Sequence, residues 1–293
     1  MMRMIAVVAV AALLLSGCMT WSPGWESKPI RSPELIDGGP ALSRAAADEE
    51  LAQAGEPMAI RKAIAGYTAA LEDSPDDAAL LDDLADAHIL YGAAWARSTR
   101  EKAVWYRAGI RYAERSMATN ERFHKRVQGG AGIGDAATEL GPHQVRTMLL
   151  WVTGVSYYFK ECLGVRQLLH FQWMLRTREL MEHMVAVDPE FGGGAVLFSL
   201  GIYHLALPPG AGRDLDRSRE FLDEAVAVSP TSLLTRWGRA KYFHVMTGDR
   251  EAFRRDLEWV IAQPPETPDN TLAWNLYFQR DARETLARID RLF

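Results

Sequence analysis

The chain has 293 residues, 48% of them hydrophobic and 24% charged, with 33 basic against 38 acidic side chains. That composition excludes an intrinsically disordered chain, and the mild negative balance excludes nucleic-acid binding by counterion release. Two cysteines, Cys18 and Cys162, are too few for a disulfide framework.

The first segment, residues 1–17, reads as a secretory leader. It carries one positive charge at Arg3, an apolar run from Ile5 to Leu15 that is too short to span a bilayer, and then small residues. Leu15-Ser16-Gly17-Cys18 resembles the bacterial lipobox. The resemblance implies cleavage before Cys18, lipid attachment to it and, with Met19 in place of aspartate, an outer-membrane anchor facing the periplasm. Residues 18–40 follow with Pro23, Pro29, Pro33 and Pro40 and no period, the composition of an extended tether. Trp21 and Trp25 could sit at the membrane interface or stack back on the domain.

Residues 41–293 are expected to be all-α. Amphipathic stretches predict ten helices, over 57–73, 76–98, 100–119, 142–163, 167–187, 193–206, 214–228, 232–247, 249–262 and 270–292. Ser74-Pro75, Asp188-Pro189 and Ser229-Pro230 read as a capping residue followed by proline at the first helical position. The prolines also mark a repeat. Positions five, eight and twelve before Pro75 are Ala70, Tyr67 and Ala63; before Pro230 they are Ala225, Leu222 and Ser218. Pro189 follows Met184, Met181 and Thr177 at the same offsets, and Pro265 follows Val260, Leu257 and Phe253. Partner helices show Leu150, Thr153, Gly154 and Tyr157, and again Leu197, Leu200, Gly201 and His204. The pattern is similar to a degenerate tetratricopeptide repeat and predicts a solenoid of irregular helical hairpins. Insertions at Phe123–Gln144 and Leu207–Arg213 break the period. The first contains Gly129-Gly130-Ala131-Gly132-Ile133-Gly134-Asp135, which follows a helix, lacks the terminal lysine of a phosphate loop, and reads as a flexible insertion able to cover a pocket mouth.

Residues 142–293 resemble a more specific family, TatT, the T component of tripartite ATP-independent periplasmic (TRAP) transporters. Leu149-Leu150-Trp151, Asp188-Pro189-Glu190-Phe191-Gly192-Gly193-Gly194 and Leu200-Gly201-Ile202-Tyr203 carry the likeness. So do the turn Leu207-Pro208-Pro209-Gly210-Ala211-Gly212-Arg213-Asp214, Arg239-Ala240-Lys241-Tyr242 and the final Asp290-Arg291-Leu292-Phe293. The Gly-Arg-Asp end of the turn departs from the usual glycine-rich pattern. The resemblance implies a lipoprotein that forms a homotrimer, partners a TRAP periplasmic solute-binding protein and routes a small hydrophobic or organic-acid ligand, with no catalytic residues. The alternative is a tetratricopeptide scaffold lipoprotein in cell-envelope or outer-membrane protein assembly.

The chain lacks HExxH, zinc-spaced cysteine–histidine clusters and GxSxG, so no metal, cofactor or catalytic group is expected. Cys162 follows an aromatic stretch and reads as a buried packing residue. Asp82-Asp83 and Glu49-Glu50 read as solvated helix faces. The candidate ligand residues are aromatic: Trp151, Tyr157, Tyr158, Trp237 and Tyr242, with Lys160. Successive rings at 157–159 lie about 100° apart on a helix, so they cannot all face one core. Lys160, Arg166, Arg236, Arg239 and Lys241 supply cations near these rings for an acidic ligand.

Overall fold

The computed structural model describes residues 24–26, 30, 42–210 and 212–293. The leader, Cys18, Trp21, Ala211 and most of the tether lie outside them. The described residues form helices joined by turns, without strands. The first three are α1 (Arg44–Ala52), α2 (Pro57–Asp73) and α3 (Ala78–Ala94), followed by α4 (Thr99–Met117) and α7 (Val145–Cys162) across an insertion. Then come α8 (Gln172–Val187), α9 (Phe191–Ala206), α10 (Leu215–Val228) and α11 (Leu233–Gly238), with α12 (Arg250–Ala262) and α13 (Leu272–Leu286) closing the array ahead of the short α14 (Ile289–Leu292). Sequence neighbours pack as antiparallel hairpins, α3 on α4 and α9 on α10 most extensively. No described helix is long and apolar enough to cross a membrane.

The stripes marked by the prolines are the hairpin core. Thr177, Met181, Met184, Ser218, Leu222, Ala225, Phe253, Leu257 and Val260 are all buried, as are Ala63 and Tyr67, and only Ala70 is half-buried. Small residues on the partner helices receive them. A Cβ on Gly201 would lie 2.7 Å from Leu222, and Ser218 Oγ donates to Gly201 O at 2.8 Å.

The Ser/Asp-Pro pairs do not open the next helix as expected. Ser74, Asp188 and Ser229 terminate the preceding one, with ψ between 71° and 92°. The physical reason is that proline Cδ clashes with an α-conformation at the residue before it. The next helix starts two or three residues later, at α3 with Asp77 accepting from Leu80 N–H at 3.0 Å. After Pro189 the chain instead makes three positive-φ glycines, Gly192, Gly193 and Gly194. At Gly194 a Cβ would meet Ala225 O at 2.7 Å, so both backbone angle and contact distance demand glycine.

The insertion after α4 is folded, not a flexible lid. It forms α5 (Glu121–Gln128) and α6 (Ile133–Ala137), buries Phe123 and Ile133, and seats α6 on α8. The second insertion is braced by its departing residue: Arg213 Nε donates to Leu207 O at 2.7 Å, and Asp214 caps α10. The tether is pinned in part. The turn Gly24–Glu26 lies on α4, where Gly24 N–H donates to Glu114 Oε2 at 2.6 Å and Trp25 meets Phe123 edge-on at 6.3 Å.

The last hairpin returns to the first. Helix α13 packs on α1 and α3. Trp274 Nε1 donates to Asp86 Oδ1 at 2.7 Å, and Arg280 donates to Ala94 O at 2.6 Å while stacking over Trp95. Of the Asp82-Asp83 pair expected on a solvated face, Asp82 is buried and Asp83 half-buried, and Asp86 is buried one turn on. Thr147 donates to both oxygens of Asp82, and Arg146 pairs with Asp83 at 2.9 Å. Glu49 is exposed as expected.

Candidate functional site

The seam between α13 and the N-terminal hairpins holds a cavity of about 300 Å³. Its charged lining cancels: Lys102, Lys241 and Arg280 face Glu161, Asp281 and Glu284. The pairs are explicit. Lys102 Nζ meets Glu161 Oε2 at 2.8 Å, and Lys241 Nζ meets Asp281 at 2.8 Å. Tyr106 OH also donates to Glu161, at 2.7 Å.

Aromatic rings back this wall. Tyr277 lines the cavity and hydrogen-bonds Tyr157, which stacks on Tyr106 at 5.5 Å. Trp237 Nε1 donates to Asp281 at 2.8 Å and meets Tyr242 and Tyr277 edge-on, both at 5.8 Å. Burial pushes the hydroxyls of Tyr157, Tyr242 and Tyr277 well above their ordinary range, so they act as neutral donors and acceptors.

Lys160 lies over the Tyr242 ring, its Nζ 3.9 Å from the centroid. Its side chain is exposed, beside the cavity and not part of its lining. Desolvation, helped by repulsion from Lys241, pulls its ammonium down to about 8. Among the described residues it has no carboxylate within salt-bridge distance, unlike Lys102 and Lys241. A carboxylate from outside would supply the missing counter-charge.

The structure therefore brings together Tyr157, Lys160, Trp237 and Tyr242, with Lys241. It sets Trp151 apart: that ring is fully buried, and its Nε1 donates to Glu114, the same carboxylate that pins Gly24. Tyr158 is half-buried against the core and lines neither this cavity nor a second cleft described below. Arg166 is exposed on the 3-10 segment Gly164–His170, while Arg236 and Arg239 belong to the second cleft. Lys102, Glu161, Tyr277, Arg280 and Asp281 escape a reading by residue type alone. Tyr277 and Asp281, four apart on α13, are a local signal that this face is both aromatic and charged. Cys162 is buried, and burial raises its thiol to about 11, outside the nucleophilic range. His88 is a core residue held neutral by burial, at about 4. No group of three or more histidine, cysteine or acidic side chains among the described residues could hold a metal ion.

A family model described as the TRAP transporter T-component matches residues 45–293, which includes every helix from α2 onward and nearly all of α1. A search among curated proteins gave no match.

Proposed function

The chain belongs to the TRAP transporter T-component family, a family of transport components, and from that premise we propose that it is a periplasm-facing lipoprotein accessory of such a transporter. In this reading it docks a TRAP solute-binding protein and binds or passes a small organic acid at the Lys160 cavity. The observation that supports the ligand is the Lys160 ammonium over Tyr242, without a carboxylate at salt-bridge distance, beside a cavity in which Lys102 and Lys241 are already paired and Arg280 is bonded to a backbone carbonyl. A purely apolar ligand fits less well, because charged side chains dominate the lining. Lipid attachment at Cys18 completes the proposal. Cys18 is only six residues from Gly24, at most roughly 20 Å of chain, and Gly24 is fastened to α4. The anchor would hold the helical domain close to the membrane rather than on a long leash.

Isothermal titration with a panel of small carboxylic acids tests the site. Binding is expected to be saturable, to weaken at least tenfold in Lys160→Met, and to weaken as pH rises through about 8, where Lys160 loses its charge. Binding unchanged in Lys160→Met, or at pH 9.5, would remove Lys160 from the site.

A further inference from the structure

The segment after α11 supplies two sides of the molecule at once. Arg239–His244 is π-helical, and it is followed by the short turn Val245–Thr247. A π-turn inserts extra backbone and rotates the residues around it, a feature frequent at functional sites. Here Trp237 and Lys241 face Asp281 on α13, whereas Arg236, Arg239 and His244 face Asp256 on α12.

On the α12 side lies a separate open cleft of about 470 Å³, lined by three arginines, Arg236, Arg239 and Arg255, together with His244 and Trp259. Asp256 is the floor. Arg236 donates to its Oδ1 at 3.3 Å, and Arg239 reaches both oxygens at 2.8 and 3.0 Å. His244 Nε2 lies 3.3 Å from Oδ2. One carboxylate thus fixes two guanidinium groups, and Trp259 supports Arg236 with its ring centroid 4.5 Å from the guanidinium carbon. Asp249, the other lining carboxylate, is engaged in capping α12 through Ala252 N–H at 2.9 Å.

Three observations show unused capacity. Arg236 Nε is buried with no hydrogen-bond acceptor. His244 is nine-tenths buried, and its Nδ1 also has no partner. Arg255 is exposed on the rim, and among the described residues no carboxylate pairs with it. Buried N–H groups are satisfied in nearly all folded proteins, so two unsatisfied nitrogens on residues that line one cationic cleft leave capacity for an added acceptor. Preorganised guanidinium groups favour carboxylate or phosphate oxygens, which accept paired, charge-assisted bonds. We propose that this cleft is a second ligand site that binds a small oxyanion, carboxylate or phosphate, independently of the Lys160 cavity.

The test is calorimetric titration of the full chain with inorganic phosphate and, separately, succinate, at constant ionic strength against chloride. At least one should bind saturably, and the two arms tell a phosphate ligand from a carboxylate one. Arg255→Glu should weaken that binding at least tenfold, and Arg255→Gln by less, because rim charge is then removed but not reversed. Both variants should unfold at the wild-type temperature, since Arg255 is exposed and unpaired. Lys160→Met should leave phosphate binding intact. Measured in the Lys160→Met background, where the first cavity is disabled, equal affinity for the bound ion after Arg255→Glu, or no saturable binding of either ion, would overturn the second site. None of these results depends on whether the transporter assignment of the first cavity holds.

Discussion

Replacing Asp256 with asparagine is expected to destabilise the protein by about 3 kcal/mol at pH 7. Asp256 is 4% exposed and holds Arg236, Arg239 and His244. Burial alone would raise its carboxyl, but hydrogen bonds from His244 and Arg239 and their charges outweigh it and bring it down to about 2. Removing the charge strands two guanidinium groups. Arg239 keeps Asp223 at 2.7 Å, and both arginines retain some solvent, which places the cost at the low end for a broken buried pair. The acid dependence follows from the same depression. A carboxyl lowered on folding contributes stability above its unfolded value near 3.8, and that contribution is lost as pH falls toward about 2. The size, roughly 2–3 kcal/mol, agrees with the mutational figure. Denaturant titrations of the two proteins should differ most at pH 5–7 and converge only as pH falls from about 4 toward 2. Equal stability at pH 7 would mean that the arginines are held by something other than Asp256.

Trp274→Ala should open the seam at a cost of about 3 kcal/mol, the low end of the range because the ring is half-buried, whereas Trp274→Phe should cost about 1–2 kcal/mol. The ring stacks on Phe278 at 5.7 Å and meets Tyr277 edge-on at 5.9 Å, contacts that phenylalanine keeps in part. The indole N–H is what phenylalanine cannot replace. Without it, buried Asp86 loses a hydrogen-bond donor and keeps Arg146 only at 4.0 Å. The loss should be local before it is global. Amide exchange in Leu272–Leu286 should accelerate in both variants, while α9 and α10, which pack on each other elsewhere, stay protected. Carboxylate binding at the Lys160 cavity should weaken in step, because Tyr277 and Asp281 ride on the same helix. Uniform exchange across the chain would show that the seam does not open as a unit.

These two changes separate what the chain makes legible from what it hides. The hairpin stripes are local, three buried positions within one helix, and counting back from each proline finds them. The prolines themselves mislead about caps, because serine or aspartate before proline suits a helix start by side chain but a helix end by backbone. The folded insertion is hidden for another reason. Its helices are eight and five residues long, too short for periodicity to announce. The seam is hidden most completely. Trp274 and Asp86 are 188 residues apart, and nothing in either neighbourhood names the other. The candidate site inherits that blindness. Tyr157, Lys160, Trp237 and Tyr242 stand out by residue type, but the helix that completes their wall arrives from the far end of the array. Trp151 stands out equally, and it is spent on the core, holding Glu114 where the tether docks. Arg236 and Arg239 look like neighbours of Lys241 in sequence, but helical spacing puts them off its face, and they meet Asp256 instead of Asp281.

The central claim, an accessory that docks a TRAP solute-binding protein, is tested most directly by capture of partners. The tagged full-length chain would be purified from a gently solubilised cell envelope and its partners identified by mass spectrometry. The account predicts recovery of a TRAP solute-binding protein. Recovery of outer-membrane assembly machinery without any solute-binding protein would contradict it and support the scaffold alternative.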